Sequence, residues 1–126
     1  MNKSYQLGLL YLVHLLVSAD GVVDESELAA LDKVRSLEKI PDDLFAQFKK
    51  DISTMKERDI YQLGINHITP CSDQEKLRAL SILYKMSEVD GRVHVKEVQL
   101  LLYSTKMIGV QFEDVVKQAA LIPSFQ

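Results

Sequence analysis

Two short stretches of this chain gather carboxylates around an Asp-Gly step. The first reads Ser18-Ala19-Asp20-Gly21-Val22-Val23-Asp24-Glu25-Ser26-Glu27-Leu28. The second reads Glu88-Val89-Asp90-Gly91-Arg92-Val93-His94-Val95-Lys96-Glu97-Val98. Laid one on the other with Asp20 on Asp90, they repeat the Gly, a Val and the Glu seven positions after the Asp in register. Carboxylate oxygens in matched sets hold hard cations. Asp20, Glu27, Asp90 and Glu97 are therefore candidate metal ligands, with Asp24 and Glu88 as further oxygen donors and His94 as a nitrogen donor. All-oxygen surroundings suit calcium, magnesium or manganese, and a histidine shifts the preference toward zinc or manganese. Four carboxylates in one groove repel each other unless a cation or basic side chains neutralise them.

Each stretch looks like the second half of an EF-hand loop, where Gly makes a sharp turn and the last Glu grips calcium with both oxygens. The first half does not fit. With Asp20 at loop position five, position one falls on Leu16; in the second copy it falls on Met86. Both are apolar where the loop needs oxygen, so a full calcium cage is excluded. A plainer reading accounts for each copy separately. Asp before Gly is a common turn former, and Glu27 or Glu97 in the first turn of a helix is favoured by the helix dipole by about 0.3–1 kcal/mol. The cation reading and the cap reading both stand at this point.

The elements around these turns read as helices; no alternating apolar-polar run is long enough for a strand. A first helix is expected over about Ser4–Ser18, apolar on nearly every side and hence central. Asp20-Gly21 ends it. A second starts near Asp24, an N-cap with Glu27 at capping-box spacing, and carries Leu28, Leu31, Val34 and Leu37 at helical spacing. Pro41 suits the first turn of a third, Asp42 to about Ile52. A fourth covers about Met55–Ile68, with Gly64 weakening it by about 1 kcal/mol relative to Ala. Ser72 and Glu75 form a capping-box pattern for a fifth helix reaching about Val89. A sixth covers about Val95–Ile108, with Gly109 as its C-terminal cap, and a seventh covers about Glu113–Leu121, before Pro123. The expected fold is all-α, with seven helices in a pseudo-twofold duplicated bundle. Residues 1–126 form one domain, its halves about 1–69 and 70–126, which pack on one another because neither buries its own apolar face.

Composition narrows the functional classes. The chain has 126 residues, 47% hydrophobic and 26% charged, with a net charge of −3. That balance is ordinary for a globular domain, and it lacks the basic stripe of a nucleic-acid binder. The single cysteine, Cys71, makes no internal disulfide and suits a reducing compartment. Lys3 followed by the apolar run Leu7–Val17 has the outline of a signal peptide. In the repeat register, however, Leu7, Leu10 and Val13 correspond to Leu77, Leu80 and Leu83 of a plainly internal segment. The first segment is accordingly expected to be a buried helix.

No Ser/His/Asp arrangement has catalytic spacing and no Gly-rich phosphate loop is present. An enzyme would need a bound metal to activate water, and the expectation is a non-enzymatic domain. His14 on the first helix and Tyr84, its counterpart in the second copy, are expected to set a polar tip against a core hydrogen bond. His67 is expected to serve its helix C-terminus. Lys49, Lys50, Lys56 and Arg58 read as a solvated basic face. Tyr5, Leu9, Tyr11 and Leu12 exceed what one core would cover, and the excess would mark a partner groove or a homodimer surface.

The duplicated pattern resembles the TerB family of tellurite-resistance proteins and its TerB-like relatives. The resemblance is carried by Ala19-Asp20-Gly21 through Glu27-Leu28 and by Val89-Asp90-Gly91-Arg92-Val93 through Glu97-Val98, and it covers nearly the whole chain. It implies a seven-helix pseudo-symmetric bundle and a stress-response role in the cytoplasm or at a membrane reached through partners. It also implies a divalent-metal site at the paired turns, at Asp20, Glu27, Asp90 and Glu97. The second copy departs in carrying Val89 for Ala19 and His94 for Asp24. The functional expectation is a cation-binding domain that works through a protein partner and not on nucleic acid. The alternative is an interaction module whose acidic turns are caps.

Overall fold

A computed structural model describes residues 3–17, 25–87 and 95–122, with side chains at all of these positions except 17, 26–28, 30 and 95–98. Seven helices are present and no strand among the described residues: α1 (Lys3–Val17), α2 (Glu25–Leu37), α3 (Asp42–Ile52), α4 (Glu57–Ile68), α5 (Asp73–Met86), α6 (Val95–Ile108) and α7 (Phe112–Ala119).

Local chemistry explains the boundaries that the structure describes. Ser72 accepts from the Glu75 N–H while the Glu75 side chain accepts from the Ser72 N–H, a reciprocal capping box that opens α5. Pro41 is the extended N-cap of α3 rather than part of its first turn. The fourth helix begins later than its apolar pattern suggests, because Lys56 is extended (ψ 153°) and serves as N-cap. The fifth ends at Met86, with Ser87 as its cap; the expected end at Val89 and the expected N-cap at Asp24 lie outside the described residues.

Two helix ends share one design. At the end of α2, Ile40 N–H donates to Arg35 O (3.0 Å) and Lys39 N–H to Ser36 O (3.2 Å), with Lys39 left-handed at φ 54°. At the end of α6, Gly109 is left-handed at φ 88° and Val110 N–H donates to Thr105 O (3.2 Å). These are Schellman-type ends. Glycine takes the left-handed turn freely, whereas a lysine there costs about 1 kcal/mol.

The centre is α1. Tyr5, Leu9, Leu10, Tyr11, Leu12, Val13 and Leu16 are all buried. One face joins a cluster with Val34, Ile65, Ile68, Leu80, Leu83, Met86, Leu101 and Val115, so both halves of the chain contribute to one core. The other packs Leu7, Leu10, Tyr11 and Leu15 against Ile40, Leu44, Phe45, Phe48 and Ile60. Tyr5, Leu9, Tyr11 and Leu12 are therefore fully covered, and the surplus apolar surface expected there does not exist. A helix enclosed by α3, α4, α5 and α6 leaves no side open, which its pattern alone could not disclose.

The closest crossing in this arrangement is between α1 and α4. A methyl group on Gly8 would lie 2.8 Å from Ile68 Cγ1 and 2.9 Å from His67 Cβ; one on Gly64 would lie 3.0 Å from Leu12 Cγ and Cδ2 and 3.4 Å from Tyr11 Cβ. Each glycine thus seats a side chain of the opposite helix. Gly8→Ala gains about 1 kcal/mol of helix propensity but overpacks a rigid crossing, which costs about 1–3 kcal/mol. The expected outcome is a net loss of stability in urea unfolding, larger for Gly8→Ala than for Gly64→Ala. Equal or raised stability in Gly8→Ala would show that the helices separate freely.

Candidate functional site

The acidic turns connect α1 to α2 and α5 to α6. Asp20, Asp24, Glu88, Asp90 and His94 lie outside the described residues. Glu27 and Glu97 sit on α2 and α6, where the backbone is helical and their side chains lie outside the description. Among the described residues no group of three or more His, Cys, Asp or Glu is arranged to hold a metal ion. The donor set of the two turns, carboxylates above all, suits a hard divalent cation.

What the structure does bring together is a buried polar cluster that the sequence pattern did not reveal. Glu38, just past the end of α2, is 3% exposed. Its Oε1 accepts from the Tyr5 hydroxyl at 2.9 Å and from Arg78 Nε–H at 2.7 Å. Gln6 Nε2 donates to the carbonyls of Glu38 (3.1 Å) and Lys39 (3.4 Å), which fixes the turn against α1. Burial pushes the Tyr5 hydroxyl well above the usual phenol range, and the Glu38 charge raises it further. The hydrogen bond to Glu38 holds the Arg78 guanidinium above its ordinary value. A buried carboxylate needs such partners. A cavity of about 530 Å³ opens beside this cluster, lined by Lys3, Gln6, Leu37, Glu38, Lys39, Pro41 and Arg78.

A second feature lies on α6. Leu102, Tyr103 and Met107 are 50%, 56% and 47% exposed. Leu102 and Tyr103, with Gln99, Leu100 and Lys106 of α6 and Tyr61 of α4, border an open, mainly apolar cleft of about 760 Å³. Tyr61 Oη and Ser104 Oγ lie buried near each other beneath it, and neither completes a well-formed hydrogen bond. Among the described residues the exposed large apolar side chains thus lie on α6, on α7 (Phe112, Val116) and at Leu121, and not on α1.

The remaining candidates take structural places. His14 is half-buried, edge-on to Phe48 with ring centroids 6.0 Å apart. Tyr84 meets Phe112 edge-on at 5.9 Å. His67 Nδ1 lies 3.1 Å from Ser4 Oγ in the last turn of α4. Cys71 donates to the His67 carbonyl at 3.3 Å. Lys49, Lys50, Lys56 and Arg58 are exposed, and Lys49 Nζ rests 4.9 Å from the Phe45 ring centroid.

Among the described residues, seven helices, with the apolar α1 enclosed by α3, α4, α5 and α6, define an all-α helical-bundle domain. Residues 6–120 match the family described as tellurite resistance protein TerB, and the chain belongs to that family. No curated protein and no solved structure matches it. Among the described residues no helix is long and apolar enough to cross a membrane.

The Glu38 cluster and His14 each have a measurable consequence. Removing one partner of a buried ion pair costs about 3–5 kcal/mol. Because Arg78 is 30% exposed, Arg78→Ala is expected to lose about 3 kcal/mol in urea unfolding, the low end of that range. Replacing the whole cluster (Tyr5→Phe, Glu38→Ile, Arg78→Met) is expected to be near neutral; a loss as large as that of Arg78→Ala would contradict this account. Separately, burial lowers the His14 pKa below 6.5, against a smaller opposing influence of Glu57. The folded state therefore disfavours protonated His14. Its share of stability is full above the unfolded value of about 6.5 and is lost as pH falls through the lowered folded value. His14→Gln should flatten the pH dependence of unfolding free energy in that window; an unchanged slope would count against the assignment.

Proposed function

We propose that this TerB-family chain is a non-enzymatic stress-response domain that takes a divalent cation at its two acidic turns and acts through a protein partner. The supporting observation is how the helices ahead of the turns are held. Near their starts α1 and α5 meet the same Glu38 oxygen, through Tyr5 and Arg78. Near their ends they contribute Leu16 and Met86 to one buried cluster. The two segments that carry the carboxylates follow this packed pair of helices in the chain. Asp20, Glu27, Asp90 and Glu97 would be the ligands, with Asp24, Glu88 and His94 as additions, and calcium, magnesium, manganese and zinc are the cations to rank. A cytoplasmic setting, with membrane contact only through the partner, agrees with the single cysteine.

A second reading makes the turns structural caps and the domain an interaction module. The exposed α6 stripe of Leu102, Tyr103 and Met107 favours it.

Thermal melting of chelator-treated protein separates the two, with each cation added in turn to the native chain and to the double variant Asp20→Asn/Asp90→Asn. A cation at 100 times its dissociation constant stabilises the folded state by about 2.7 kcal/mol. The expected result is a rise in Tm that the double variant loses. No rise with any of the four cations, well into the millimolar range, would end the cation reading and leave the interaction module.

A further inference from the structure

The cavity beside Glu38 holds three features that point beyond packing. The first is Lys39. It occupies the left-handed position of a Schellman end at φ 54°, the place where glycine is favoured. In the second half of the chain the matching helix end places Gly109 there. A lysine kept in a strained backbone position where the other half of the chain has glycine points to a use for its side chain.

The second is Glu38 itself. Its counterpart in the repeat register is Ile108, also buried. An apolar side chain fills the core at that place, whereas the carboxylate here accepts from Tyr5 and adds a second partner. That partner is Arg78. Glu38 Oε1 accepts from Arg78 Nε–H at 2.7 Å, which fixes the plane of the guanidinium beside the Tyr5 hydroxyl, with Nη hydrogens on the cavity side as further donors.

The third is the balance of charge. Lys3, Lys39 and Arg78 line the cavity against the single carboxylate of Glu38. Oε1 of that carboxylate is already engaged by Tyr5 and Arg78. Neither Lys3 nor Lys39 is in a salt bridge among the described residues. The site therefore carries an excess of two positive charges, a pre-oriented guanidinium fork and an apolar wall from Leu37 and Pro41. A guanidinium fork binds phosphate with paired hydrogen bonds, and lysines add point charge. A volume of about 530 Å³ falls within the range of small-ligand pockets.

We propose that this cavity binds a phosphate monoester, with the dianionic phosphate on Arg78, Lys39 and Lys3 and its organic part against Leu37 and Pro41. The site is separate from the acidic turns and does not depend on a cation there.

The test is titration of the native chain with phenyl phosphate and with inorganic phosphate at constant ionic strength, followed by isothermal calorimetry and by the NMR signal of Arg78 Nε–H. Phenyl phosphate is expected to bind more tightly than inorganic phosphate and to shift that signal. The double variant Lys3→Gln/Lys39→Gly should weaken binding by about tenfold or more, equivalent to about 1.4 kcal/mol. It should melt no lower than the native chain, because glycine relieves the left-handed backbone at position 39. Arg78→Lys keeps the charge and should also weaken binding, since it loses the fork. A parallel arm uses phosphatidylcholine vesicles with and without phosphatidic acid. Sedimentation of the native chain with the phosphatidic acid vesicles alone, lost in the double variant, would assign the ester to a lipid headgroup; soluble binding without sedimentation would assign a free metabolite. Equal affinity of the double variant and the native chain, or binding of neither phenyl phosphate nor the phosphatidic acid vesicles, would overturn the proposal.

Discussion

The crossing of α1 and α4 sets the geometry on which the other packing depends. Gly8 admits Ile68 and the backbone-proximal part of His67, and Gly64 admits Leu12. Beside this crossing, Tyr11 reaches the Asp51 carboxylate of α3 at 2.7 Å, and Tyr5 reaches Glu38, just past α2, at 2.9 Å. Both tyrosines have hydroxyls that burial pushes above the ordinary phenol range, so both act at neutral pH as neutral donors. A wholly apolar helix would pack in many rotations. Two phenols, each committed to a carboxylate on a different neighbour, select one of them.

Much of the helical plan was legible because it rests on local chemistry. The Ser72–Glu75 box, the Gly109 turn and the span of α6 rest on residues a few positions apart, and they stand where the pattern puts them. The start of α4 was less legible, since Met55 continues the apolar period while Lys56 breaks the backbone. Glu38 was illegible for a different reason. Nothing near it in the chain announces that Tyr5 and Arg78, both distant in sequence, will close over it. The exposed face of α6 was likewise not singled out in the sequence, since the helices that leave Leu102 and Tyr103 uncovered are distant in the chain. Of the acidic stretches, the most legible chemistry in the sequence, Asp20, Asp24, Glu88, Asp90 and His94 lie outside the residues that the structure describes.

The two halves differ most where they differ in polarity. α3 and α7 begin at Asp42 and Phe112, equivalent positions in the repeat register, and each packs on the helix that opens its half. Within that common plan the Glu38, Lys39 and Arg78 of one corner stand against Ile108, Gly109 and Gly8 elsewhere. The first member of each pair is charged. The second is what simple packing or turn geometry selects: an apolar plug, a left-handed glycine, a glycine at a close crossing. One corner of the fold thus carries charge where the positions 70 residues away carry none.

The enclosure of α1 also sets a timetable for biosynthesis. This helix is translated before every element that covers it. Its tightest contact, at Gly8, waits for Ile68 at the far end of α4, and its contacts with α5 and α6 wait longer. At about 5–20 residues per second, the most apolar segment of the described chain stays uncovered for seconds, until α4 arrives. The glycines that let α4 approach so closely therefore also decide how completely a sticky nascent segment is covered once α4 has been made.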